Sequence, residues 1–137
     1  MEMLSGVPLF GDLSQKDLKN LVESGKEVHH EAGKEVMTEG NGGIGFHLIL
    51  DGSAKVTRSG RTVAKLGAGE FFGEMAVIDD GPRSASVVAE TAMTTFFLSR
   101  WDFRPIIKNS PEMAWKLVQH LVGRLREEQT GRSAVTS

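Results

Sequence analysis

The 137-residue chain has no cysteine, so neither a disulfide framework nor a thiolate metal site can contribute to its fold or chemistry. That absence fits a reducing compartment. No excess of either charge sign is present: 16 Lys and Arg stand against 18 Asp and Glu, a formal net charge of −2. A domain that grips nucleic acid by itself carries a basic surplus, so direct contact with nucleic acid is not expected. No apolar run approaches the length that spans a bilayer, and the N-terminal "MEMLSGVPLFGDLSQKD" lacks a basic region followed by an apolar stretch. Neither membrane association nor a secretion signal is therefore expected. No internal repeat, low-complexity tract or nucleophile motif stands out. These exclusions leave a cytoplasmic protein of one domain.

Glycine, in contrast, is plentiful: there are 16, most of them in the middle of the chain. From Val28 to about Leu98, short runs of β-prone residues alternate with glycine corners: "KEVHHEAG", "KEVMTEG", "GFHLILDG", "SAKVTRSG", "RTVAKLGAG", and later "RSASVVAE" and "MTTFFLS". Asp51-Gly52 and Ser59-Gly60 read as hairpin turns. Many short strands with regular turns predict an antiparallel sandwich or barrel, and the lack of strand–helix alternation argues against a doubly wound nucleotide fold. Helices flank this core. "LSQKDLKNLVESG" has Ser14 as N-cap, Asp17 for a capping box and Gly25 as a C′ stop. Ser99 with Asp102 repeats the capping pattern, and Pro105 is expected to interrupt or kink that helix. A last helix starts at Ser110 and Pro111, with Glu112 in its first turn. Its apolar stripe is read as Ala114, Val118, Leu121 and Leu125, widened by Met113, Leu117 and Val122.

The chemistry concentrates in "FFGEMAVIDDGPRSASVVA", residues 71–89. A carboxylate and a guanidinium so close together, Glu74 and Arg83, either pair with each other or hold two ends of one small ligand. An exposed pair contributes roughly 0–1 kcal/mol and would merely order a turn. The neighbouring residues favour a ligand. Gly73 lets the backbone approach closely. "EMAVI" suits one helical turn whose first amides are unpaired and attract an anion. Arg83 offers a two-pronged contact to phosphate oxygens, and Ser84 adds a hydroxyl. Ala76 and Ala85 leave room. Glu74 would repel a bare phosphate but accepts a hydrogen bond from a nearby ligand hydroxyl, so the stretch suits a compact sugar-phosphate.

"FGEMAVIDDGPRSASVVA" resembles the phosphate-binding cassette of the cyclic nucleotide-binding domain family, which includes catabolite activator proteins, cyclic-nucleotide-dependent kinase regulatory subunits and cyclic-nucleotide-gated channels. "VPLFGDLSQKDLKNLV" is similar to the family's N-terminal helices, "FHLILDGSAKV" to its central strands, and "LGAGEFFGEMAVI" to the lead into the cassette. The resemblance implies a mainly β fold with flanking α: an antiparallel double-stranded β-helix, or jelly-roll-like barrel, with hinge and lid helices at its C-terminal end. It implies that Glu74 binds the ribose 2′-hydroxyl and Arg83 the exocyclic phosphate oxygens. Backbone near Ala76 meets the phosphate, Ser84 touches phosphate or base, and Gly73, Met75 and Ala85 complete the cassette. Val56, Val63 and Leu66 are implied beneath the base. Val77 and Phe103 match the switch positions at which an apolar cassette residue packs on a hinge helix. Leu121, Leu125 and Arg126 are candidates for the lid. The ligand so implied is cAMP, with cGMP as the alternative because Ser84 suits both purines.

The expected organisation is one binding domain over residues 1–129, made of a helical N-terminus (1–26), a barrel (27–98) and C-terminal helices (99–129), followed by a flexible tail (130–137). No catalytic residue, cofactor or metal is expected. His29, His30, His47 and His120 invite comparison with cupin-like metal barrels, but adjacent His29 and His30 point to opposite faces of a strand and cannot chelate together. A degenerate module that keeps the fold as an interaction platform is the other alternative, and the presence of Glu74, Arg83 and Ser84 argues against it. Related activators dimerise through the last helix, so a homodimer by that route is anticipated. The downstream effector is left open, since nothing after residue 129 resembles an output domain.

Overall fold

The computed structural model describes residues 7–11, 13–37, 45–73 and 85–129; the expected tail lies outside them. A 3-10 turn at Pro8–Phe10 precedes helix α1 (Gln15–Ser24). Ser14 caps α1 as expected, its Oγ accepting from the Asp17 N–H at 3.1 Å. Gly25 ends the helix for a reason other than the one expected. It is the C-cap in an extended conformation (φ −97°), not a left-handed C′ residue. Its requirement is packing, because a Cβ there would come within 2.2 Å of the Phe96 ring.

Among the described residues eight strands follow: β1 (Lys26–His30), β2 (Glu35–Met37), β3 (Gly45–Asp51), β4 (Ala54–Arg58), β5 (Arg61–Leu66), β6 (Phe71–Phe72), β7 (Ser86–Ala89) and β8 (Met93–Ser99). They form two antiparallel four-stranded sheets, in the orders β1-β8-β3-β6 and β2-β7-β4-β5. The Ser59-Gly60 hairpin is present: Arg58 pairs with Arg61, and both turn residues have positive φ (52° and 78°), as a tight two-residue turn requires. Asp51-Gly52 is not a hairpin. β3 and β4 belong to different sheets, so this corner carries the chain from one sheet to the other. Gly52 has φ 91°, and a Cβ on it would lie 2.4 Å from the Ala92 carbonyl oxygen and 2.8 Å from the Met93 Cα. A glycine corner alone does not distinguish a hairpin from a crossover; which sheet each strand joins is decided by long-range pairing.

Helix α2 (Arg100–Asn109) leaves β8 directly, with the Ser99 Oγ accepting from the Asp102 N–H at 3.2 Å and donating to Asp102 Oδ2 at 3.0 Å. It runs continuously through Pro105, contrary to the expected interruption. The missing N–H forfeits one helical hydrogen bond near the start of α2, and the Pro105 ring is exposed. Ser110 ends α2 and caps α3 (Pro111–Gln129), its carbonyl oxygen accepting from the Ala114 N–H at 3.0 Å.

The β1-β8-β3-β6 sheet is covered on both faces. Its outer face packs on the helices through Phe46, Leu48, Phe96 and Leu98 against Phe10, Leu21, Phe103, Met113 and Leu117. Its inner face meets the second sheet through Ile49, Phe72 and Met93 against Ala54, Val56, Leu66 and Val87. α3 reverses the expected stripe. Met113 and Leu117 are the buried positions, while Val118 and Leu125 are 46% and 54% exposed. Spacings of three and four fit more than one helix face, and the layer beneath chose the Met113–Leu117 face.

Gly52→Ala is expected to destabilise the protein by about 2–4 kcal/mol, combining left-handed strain with backbone overlap. Gly60→Ala, whose added Cβ meets nothing within 4 Å, is expected to cost only about 1–2 kcal/mol of conformational strain. Urea denaturation of both variants checks the difference; equal losses would contradict the crossover geometry.

Candidate functional site

Glu74, Met75, Ala76, Val77, Arg83 and Ser84 lie outside the described residues. The structure describes what flanks them. On the N-terminal side, the Gly67–Glu70 turn sets up β6: the Glu70 N–H donates to the Gly67 carbonyl at 3.1 Å, and Glu70 Oε1 accepts from the Gly67 N–H at 2.9 Å. The Glu70 carbonyl then accepts from the Ile49 N–H at 2.9 Å, anchoring the turn to β3. β6 ends at Gly73, which is buried and has φ 91°, a conformation open to glycine and strained for other residues. On the C-terminal side, Ala85 is fully buried and opens β7. Gly73 and Ala85, the described residues on either side of 74–84, are thus both buried.

Val56 and Leu66 are buried in that core beside Ala85, and Val63 is half-buried against it. Ala64, not Val63, stands opposite Val56 in the β4–β5 register, and Ala54 stands opposite Leu66. Sequence reading passed over Ala54 and Ala64, although their alternation with Val56 and Leu66 carries the signal. Phe103, the expected hinge residue, is fully buried, with its ring 4.7 Å from that of Phe46. Among the lid candidates, Leu121 is half-buried while Leu125 and Arg126 are exposed. Beyond Met113 and Leu117, α3 also meets the barrel through His120, whose ring lies 4.6 Å from that of Phe71. Beside this contact is a cavity of about 230 Å³ lined by Val7, Leu9, Leu66, Gly69, Glu70, Phe71 and His120.

The histidines do not assemble a metal centre: among the described residues, no group of three or more His, Asp or Glu could hold an ion. His29 is exposed and His30 buried, as strand alternation requires. His30 instead joins a polar cluster within the inner layer. Thr95 Oγ1 lies 3.0 Å from His30 Nε2 and 3.1 Å from His47 Nδ1. A hydroxyl donates one proton, so at least one of these imidazoles donates to Thr95. His47 also stacks on Phe72, at 4.8 Å and 10° between planes, next to Gly73. Burial first, then the nearby charges of Lys34 and His29, hold the His30 pKa below its ordinary value of 6.5.

A family model for the cyclic nucleotide-binding domain matches residues 27–110, and the chain belongs to that family. Its architecture, two antiparallel four-stranded sheets with flanking helices, is the family's β-roll. Among individual proteins, the chain is similar to the cyclic AMP receptor protein of Thermus thermophilus, with 33% identity over 129 residues, covering 90% of this chain and 60% of that protein. It is also similar to the cAMP-dependent protein kinase regulatory subunit of Yarrowia lipolytica, 35% identical over 106 residues, covering 76% of this chain and 28% of that protein. The crystal structure of the Thermus thermophilus catabolite activator protein superposes with a TM-score of 0.81 at 33% identity, covering 90% of this chain and 61% of that one. The chain thus spans less than two thirds of the length of these relatives. None of the described helices is long and apolar enough to cross a membrane.

The depressed His30 pKa has a defined sign. Unfolded chains bind a proton near pH 6.5 that the folded protein resists, so this contribution to stability is complete above that pH and is lost as pH falls below it. His30→Gln keeps a hydrogen-bonding side chain without the titration. Urea midpoints at pH 7.5 and 5.5 should fall less in this variant than in the parent; equal falls would remove the role of His30.

Proposed function

We propose that this chain is a sensor module that binds a cyclic nucleotide, cAMP in preference to cGMP, and reports it by a change in the position of α3. The observation that carries the reading is the family match over residues 27–110, a span that includes Glu74 and Arg83. The bound ends of this segment, Gly73 and Ala85, are compatible with a short loop wrapped on a small anion. Relatives named for cAMP support that ligand. In this reading Glu74 accepts from the ribose 2′-hydroxyl, Arg83 pairs with the phosphate, backbone at Ala76 completes the anion site, and Ser84 adds a hydroxyl. Val77 transmits the closure to Phe103. The module carries no catalysis of its own, acts in the cytoplasm, and passes its signal to an effector.

The same reading includes a homodimer through α3. Trp115, Val118, Val122 and Leu125 are exposed and recur at spacings of three, four and three, the seam of a short coiled coil. These side chains lie on the helix face turned away from Met113 and Leu117.

Calorimetry with cAMP and cGMP tests the ligand. Arg83→Ala is expected to weaken cAMP binding by about 2–5 kcal/mol, because a phosphate charge loses its guanidinium. 2′-Deoxy-cAMP is expected to bind more weakly than cAMP to the unaltered protein. Unchanged affinity in the first measurement would sink the phosphate assignment, and equal binding in the second would remove the role of Glu74.

Sedimentation addresses the dimer: the parent protein should sediment as a dimer and Val122→Glu as a folded monomer. A monomeric parent protein would exclude the α3 seam as a dimer interface.

A further inference from the structure

α2 turns two chemically different faces to its surroundings. Phe103 is fully buried, and Ile106 and Ile107 pack against the same outer core. On the opposite face Trp101, Pro105 and Lys108 are exposed at spacings of four and three. Trp101 is 66% exposed, the most open large apolar side chain among the described residues. An indole left in water forgoes a large burial gain. The Arg100 guanidinium lies over the ring, 4.3 Å from its centroid. A cation held there favours one ring orientation, which lowers the entropy lost when a partner covers the indole.

The distribution of charge says what kind of partner fits. Residues 1–99 carry nine Lys and Arg against fourteen Asp and Glu, whereas residues 100–137 carry seven against four. A near-neutral total thus hides a cationic helical end. On α2, Arg100, Arg104 and Lys108 recur at intervals of four and form a row beside Trp101. The acid of this helix, Asp102, lies on the other side and accepts from the Ser99 hydroxyl at 3.0 Å. An apolar anchor with a cationic edge has the anatomy of a protein-binding patch, in which Trp and Arg supply much of the binding energy. A lipid surface calls for a broad apolar face, and this one offers a single large side chain between Pro105 and Lys108. A nucleic acid calls for more phosphate contacts than one short row of cations provides.

We propose that the outward face of α2 docks an acidic segment of a partner protein, with Trp101 as the apolar anchor and the Arg100, Arg104 and Lys108 row facing the partner's carboxylates. None of these residues belongs to 74–84, and docking here does not depend on a bound nucleotide.

Anisotropy of a dye-labelled, glutamate-rich peptide carrying a single leucine, titrated with the full chain, tests the surface. Saturable binding that weakens with added salt is expected. Trp101→Ala should weaken it by at least about tenfold, as loss of an interface anchor does, and Lys108→Glu by roughly three- to tenfold. Arg61→Glu reverses an exposed charge on β5 and should leave binding unchanged. A loss there equal to that of Lys108→Glu would show that only net charge matters, and would overturn the assignment. Absence of saturable binding, or binding unaltered by Trp101→Ala, would overturn it as well. Two further arms address other occupants. Trp101-dependent binding to phosphatidylserine vesicles or to duplex DNA, without binding to the peptide, would put that surface in place of the acidic segment. Sedimentation in which Trp101→Ala dissociates the parent assembly would make a second copy of the chain the occupant. Either result would refute the acidic partner.

Discussion

Successive side chains of a strand point to opposite faces, and at Phe71–Phe72 this constraint links the two halves of the protein. Phe72 points inward, stacks on His47 and belongs to the layer between the sheets. Phe71 points outward to the helical layer, where it meets Phe46 and His120. Gly73 follows immediately with φ 91°. A displacement of the backbone at this point moves one ring in the barrel and one among the helices together. The register pairing His47 with Phe72 and Leu48 with Phe71 fixes this division, because a slip of one residue would exchange the two faces.

The sheet that carries β6 is buried on both sides, and each side is built from different chemistry. The helical side is aromatic and aliphatic, with Phe10, Phe46 and Phe103 fully buried. Close-packed rings of this kind have few alternative arrangements. The inner side mixes small aliphatic residues with the His30–Thr95–His47 cluster. Those polar groups are satisfied by one another, so they impose geometry on three adjacent strands at little net cost. Ala54 and Ala64 lie in the opposing sheet, opposite Leu66 and Val56.

Much of the architecture was legible in the sequence because it rests on local chemistry. Ser14, Ser99 and Ser110 cap helices where their spacing placed them, since a cap needs only the amides of the next turn. Ser59-Gly60 forms its hairpin because both residues accept positive φ. Asp51-Gly52 looked alike and joins different sheets, and Gly25 is required by the Phe96 ring rather than by its own φ. In both cases the deciding atoms are far away in sequence. Val56 and Leu66 are buried in the inter-sheet core with Ala54, and Ala64 packs against it; the two alanines are hard to read from sequence because small residues give a weak hydrophobic pattern.

By itself the sequence determined the family, the strand-rich centre between helices, and the pairing of an acid with a base in one short segment. Each of these depends on residue types at fixed short spacings, which survive without knowledge of the rest of the fold. Tertiary structure alone decided the sheet each strand joins, the face α3 turns inward, and the contact of His120 with Phe71. The physical reason is degeneracy. A helix with apolar residues on two sides buries whichever fits the surface it lands on, and that surface exists only once Phe71, Leu66 and the N-terminal turn have come together.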